Sequence, residues 1–90
     1  MRVSVNFQGR VQGVGFRATA REIVLRQPAI LTGWVRNEHD GSVQMELQGE
    51  QQAVEVALAE LHSTMARNIH GADRTTIPDL PGETSFTIAR

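Results

Sequence analysis

The chain has 90 residues, enough for one domain around one core; 40% are apolar and 21% charged, ordinary values for a globular chain. The formal net charge is −1, so the broad positive field that general nucleic-acid binding requires is missing. Cysteine, lysine and tyrosine are absent and all nine basic residues are arginine. That excludes disulfides, thiolate chemistry, cysteine-ligated zinc, Schiff-base chemistry, a Walker-type lysine and a phenolic acid.

No apolar run reaches membrane-spanning length, and Met1–Asn6 lacks the apolar block of a signal peptide, so a cytoplasmic setting with no membrane partner is expected. Val3, Val5 and Phe7 alternate with polar residues, the period of a half-buried strand. A glycine-rich stretch, Gly9 to Arg17, follows. Phe16, Ala20, Ile23 and Val24 then fall on one face of a helix that Pro28 ends. Ile30 to Asn37 reads as a second strand, with Trp34 expected in the core. Glu38-His39-Asp40-Gly41 is a reversal, because Asp-Gly tolerates the positive φ of a tight turn.

Val43, Met45 and Leu47 alternate again in a third strand closed by Gly49, and Val54, Leu58, Leu61 and Met65 mark a second amphipathic helix over Glu50–Ala66. Asn68 to Gly82 has little pattern; its β-prone patch Thr75-Thr76-Ile77 predicts a short edge strand over Ala72–Ile77. Phe86 and Ile88 make a final strand. The expected fold is α+β: a ferredoxin-like βαββαβ sandwich, one domain over residues 1–90, with a four-stranded antiparallel sheet and two helices on one face. Strands one and three lie centrally in such a sheet, which lets the glycine-rich loop approach the end of strand two.

Gly9-Arg-Val-Gln-Gly-Val-Gly-Phe-Arg17 sets three glycines and two arginines at a strand-to-helix junction. Glycines allow the backbone to curl and bring N–H groups to a ligand, and the helix start adds unpaired donors and partial positive charge. Arginine adds a planar fork suited to phosphate oxygens, so the stretch reads as a phosphoryl cradle. The competing reading is a tight turn with Arg17 in solvent. Against it, a cation in the first turn of a helix opposes the dipole unless an anion is bound there. His39, His62 and His70 lack metal-ligand spacing, so no metal site is expected. Glu38, Asp40, Glu46, Glu50, Glu55 and Glu60 read as solvated or polar-face carboxylates, and no serine has a base in pattern with it.

An anion cradle without nucleophile, base or metal restricts the chemistry. An alkyl phosphate must expel a poor alkoxide, whereas a carboxyl phosphate expels a carboxylate whose conjugate acid has a pKa of about 4. Positioning a water and stabilising the phosphoryl charge could then suffice. Asn37, at the end of the second strand, could orient that water as a glutamine does in some GTPases. The alternative is that Asn37 only caps the turn that follows it.

Gly9–Arg17, Thr-Gly-Trp-Val-Arg-Asn (32–37), Asp-Gly-Ser-Val (40–43) and Leu-Gln-Gly (47–49) closely resemble the acylphosphatase family, firmly over residues 2–65. The resemblance implies the ferredoxin-like fold and hydrolysis of small-molecule acyl phosphates by a monomer, without metal or cofactor and without a phosphoenzyme. It implies that Arg17 and the amides of Gln12, Gly13, Val14, Gly15 and Phe16 hold the phosphoryl group and that Asn37 positions the attacking water. The chain departs from the family's pattern in a longer segment between Arg17 and Gly33 and in an atypical stretch over residues 66–84. Two other readings stand beside this one. A non-catalytic anion-binding module would share the cradle, and an RNA-binding sheet would need exposed aromatics from Phe7, Phe16, Trp34 and Phe86.

Overall fold

A computed structural model describes residues 1–90. Its elements are β1 (Arg2–Gly9), α1 (Phe16–Arg26), β2 (Thr32–Asn37), β3 (Val43–Gln48), α2 (Gln51–Thr64), β4 (Ile69–Ile77) and β5 (Phe86–Ile88). The strands form one sheet in the order β4-β1-β3-β2-β5. The expected four-stranded antiparallel sheet is therefore corrected to a five-stranded mixed one. Both C-terminal β-prone segments are strands, at opposite edges. β4 pairs antiparallel with β1, and the chain then crosses to the far edge and enters it in the same direction as β2. A parallel pair results, with Gly33 opposite Phe86 and Val35 opposite Ile88.

β4 is also longer than expected, reaching back to Ile69. It matches β1 along nearly its whole length, from Arg2 opposite Ile77 to Gly9 opposite Ile69. Its side chains are mostly exposed, so backbone pairing rather than apolar alternation makes it a strand, and periodicity could not delimit it. β2 begins at Thr32, not Ile30: Leu31 is buried, while Ile30 is 85% exposed in the connection from α1.

Val3, Val5 and Phe7 of β1, Val35 of β2 and Val43, Met45 and Leu47 of β3 point to the same side of the sheet. There they meet Phe16, Ala20, Ile23 and Val24 of α1 and Val54, Ala57, Leu58 and Leu61 of α2 in one cluster of 19 buried residues. Both helices thus cover one face, as expected. The other face is polar: Asn6 Nδ2 donates to Ser42 Oγ (3.0 Å) and Gln44 Oε1 (2.9 Å). Trp34 belongs to this second face, not to the core, because side chains alternate and Val35 already takes the inward direction. The Arg36 guanidinium lies 4.7 Å from the centre of its ring.

The crossing from β4 to β5 is tied down by Arg2, which is 2% exposed. Its guanidinium donates to Glu83 Oε1 (2.7 Å), Glu46 Oε1 (2.9 Å) and Gln48 Oε1 (3.1 Å). Gln48 also exchanges two hydrogen bonds with the backbone of Leu80. The ion pair holds the Glu83 carboxyl below its ordinary range and raises Arg2. Glu46 is accordingly a half-buried partner of Arg2 rather than a solvated polar-face residue. This crossing sets where β5, and with it Ile88, lies against β2.

Candidate active site

β1 ends at Gly9, and the chain turns through residues 10–15 before α1 begins. Gly13 (φ 75°) and Gly15 (φ 80°) are both left-handed, a conformation that a side chain would strain. Gly15 is the N-cap of α1 and no side chain caps it. The first intrahelical bond runs from Thr19 N–H to Gly15 O at 3.0 Å, so the N–H groups of residues 16–18 precede the ladder and have no helical acceptor. There is no acidic residue in this first turn to complement the dipole.

A cavity of about 220 Å³ opens at this helix start, lined by Val11, Gly13, Gly15, Phe16, Arg17, Ala18, Asn37 and Ile88. It brings the loop after β1, the first turn of α1 and the ends of β2 and β5 together. Arg17 is half-buried. Four other arginines (Arg2, Arg26, Arg36 and Arg74) make ion pairs with glutamates, whereas Arg17 makes none. Arg10, Arg21, Arg67 and Arg90 are also without a carboxylate partner, but all four are exposed. Arg17 is thus the one unpaired guanidinium drawn partly out of solvent, and no carboxylate lines its cavity.

Asn37 ends β2 on the same side of the sheet as Val35, facing the start of α1. Its Oδ1 is buried and accepts no hydrogen bond from the protein. A buried carbonyl oxygen without a donor costs roughly 1–3 kcal/mol. Turn capping would have given that oxygen a donor, so the turn-capping account of Asn37 does not fit. The following turn is closed by other groups: Asp40 Oδ1 accepts from Ser42 N–H (3.0 Å) and Ser42 Oγ (2.6 Å). Those two bonds, the hydroxyl's first, lower the Asp40 pKa.

The residues expected in the cradle separate into two groups. Gly13, Gly15, Phe16, Arg17 and Asn37 line the cavity; Gln12 and Val14 do not. Gln12 instead turns its amide toward the β2–β3 turn and donates to Glu38 O (2.7 Å) and Ser42 O (2.9 Å). It fastens the loop to the segment that directly follows Asn37. Phe16 contributes backbone to the rim while its ring, 1% exposed, packs 5.0 Å from that of Phe7. Val11, Ala18 and Ile88 were not singled out from the sequence. Ile88 could not be, because its place depends on the parallel pairing of β5. His62 packs its ring 5.6 Å from Phe7, away from this cavity.

The sequence model of the Acylphosphatase family matches residues 3–88 of the chain. An acylphosphatase from Geobacillus thermodenitrificans (strain NG80-2) is 43% identical over 82 residues, covering 87% of this chain and 85% of that protein. One from Methanospirillum hungatei JF-1 is 34% identical over 94 residues, covering 99% and 97% respectively. Among solved structures, acylphosphatase from Bacillus subtilis is 26% identical and superposes with a TM-score of 0.85, covering 99% of this chain and 98% of its own.

Proposed function

Because the chain belongs to the acylphosphatase family and is an enzyme of that class, we propose that it hydrolyses the carboxyl–phosphate bond of small acyl phosphates by the water-positioning route its cavity allows. The phosphoryl oxygens would lie against the Arg17 guanidinium and the N–H groups of the loop and the first turn of α1. Those donors stabilise the charge on the equatorial oxygens as the bond to the leaving group stretches. Asn37 Oδ1 accepts a hydrogen bond from a water and so turns that water's lone pair toward phosphorus.

The new P–O bond forms from the water oxygen and the bond to the carboxylate oxygen breaks. Both protons of the water stay with the phosphate, so the acyl phosphate dianion and water give a carboxylate and dihydrogen phosphate. Since the carboxylate is a weak base, with a conjugate-acid pKa of about 4, it leaves without a proton donor. An amide cannot act as a strong base, and in this reaction none is needed. Gln12 would act at one remove, holding the loop against the turn after Asn37.

The observation that supports this reading above the others is the orphaned, buried Oδ1 of Asn37 in the same cavity as the unpaired Arg17. An anion-binding module would require only Arg17 and the amides. The reading has one domain, residues 1–90, working as a cytoplasmic monomer. The test is hydrolysis of benzoyl phosphate and of methyl phosphate in the presence of a chelator. Turnover of the first and not the second is expected. Loss of turnover on chelation would contradict the mechanism. A phosphate-induced rise in Tm without any hydrolysis would make the chain an anion-binding module.

A further inference from the structure

Whatever a bound phosphoryl group carries must leave the cavity past side chains, and few are available. Gly13 and Gly15 have none, Arg17 and Asn37 are polar, and Val11 and Phe16 are each 1% exposed and committed to the core. Ala18 offers one methyl group. Ile88 is the remaining lining residue, and it is 40% exposed. Large apolar side chains at the surface are few here, and apart from Ile88 none of them lines this cavity: Leu25, Ile30, Val56 and Leu80 lie elsewhere, and Val14, although between Gly13 and Gly15 in the loop, is not a lining residue.

Its position is fixed from both sides. Ile88 pairs with Val35, two residues before Asn37 on the adjacent parallel strand, and the N–H of Ala89 donates to Val35 O at 2.8 Å. β5 is the edge of the sheet, so no further strand covers this side of the cavity.

We propose that Ile88 is the specificity-determining residue for the acyl group, favouring acyl phosphates whose acyl part is a sizeable hydrocarbon over those with a small or charged one. The inference rests on the acyl phosphate reading and deepens it. Every substrate of this class presents the same phosphoryl end to Arg17 and the amides, so those contacts cannot discriminate. Discrimination has to come from the acyl end, and Ile88 is the one sizeable apolar surface left for it to cover. Such a contact is partly solvated, so its effect on selectivity should be about 3–10-fold, below that of an enclosed apolar pocket.

The experiment compares Ile88→Ser and Ile88→Val with wild type on benzoyl phosphate and acetyl phosphate, with inorganic phosphate as competitive inhibitor. Ile30→Ser, at an exposed apolar position outside the cavity, is the control. Ile88→Ser is expected to raise KM for benzoyl phosphate about 3–10-fold. KM for acetyl phosphate and the inhibition constant of phosphate should each change less than about twofold, and Ile88→Val should fall between Ser and wild type. The unchanged phosphate constant also shows that the variant is folded. Equal changes on both substrates, no change on either, or a weakened phosphate constant would overturn the assignment. Failure of the wild type to hydrolyse either substrate would overturn the acyl phosphate reading itself, and this inference with it.

Discussion

Arg17 and Asn37 are each anomalous in the same way: each is a polar group drawn out of solvent without a partner of its own. For Arg17 the anomaly is a half-buried guanidinium with no carboxylate, at a helix start whose dipole disfavours a cation. For Asn37 it is a buried amide oxygen with no donor. Strain of this kind is expected where a ligand completes the hydrogen bonding. In the proposed division of labour Arg17 meets the phosphoryl group and Asn37 meets the water. Asn37→Ala should then lower kcat about 100–1000-fold, the range seen for one transition-state contact, and leave inhibition by inorganic phosphate within about threefold. Steady-state kinetics with phosphate as inhibitor separates the two effects. The residue types and their spacing pointed to both side chains; the orphaned oxygen became visible only in three dimensions.

The loop and the turn that carry these residues act as one unit. Gln12 was read from the sequence as part of the cradle, yet its side chain spans to Glu38 O and Ser42 O and joins the loop after β1 to the turn after β2. No periodicity announces such a bond, because its partners are backbone carbonyls 26 and 30 residues away. Gln12→Ala removes two hydrogen bonds of a half-buried group, about 1–2 kcal/mol of stability. It should also lower kcat/KM about tenfold or more by loosening the loop relative to Asn37. Urea denaturation gives the first number and kinetics the second; Gln12→Glu, which keeps length but not the donors, should behave like the alanine variant. The helices, β1 and β3 were legible because each presents a clean apolar period to one core, whereas β2 offers only Val35 to it, so its start and the face of Trp34 were misread. β4 was only partly legible, since its exposed side chains carry no such period and its extent is set by β1.

At the scale of the molecule, the unexpected feature is the crossing that puts β5 on the far edge of the sheet. A short strand of three residues cannot specify a parallel partner by its own pattern. What fixes it is the crossing segment, held by the Arg2 ion pairs and by Gln48. Arg2 was overlooked in the sequence because an arginine at the first residue of a strand normally points to water. The Glu83 carboxyl is held below its ordinary pKa of 4.5, chiefly by the hydrogen bond from Arg2. Its contribution to stability is therefore complete above the unfolded-state value and is lost as pH falls through the folded one. Stability should decline below about pH 4.5 in the wild type, and Glu83→Gln should lower stability at pH 7 and flatten that part of the profile. Thermal melts of the two proteins between neutral and acidic pH measure both effects.

These parts converge on a cavity in which, under the proposed mechanism, Arg17 would hold a phosphoryl group. The most direct measurement of that claim is hydrolysis of benzoyl phosphate by wild type and Arg17→Ala, both with chelator and both shown to be folded by circular dichroism. The account predicts turnover by the wild type and a loss of about a thousandfold or more in the variant, the scale of removing a charge-stabilising group. Retention of wild-type turnover by Arg17→Ala would contradict it.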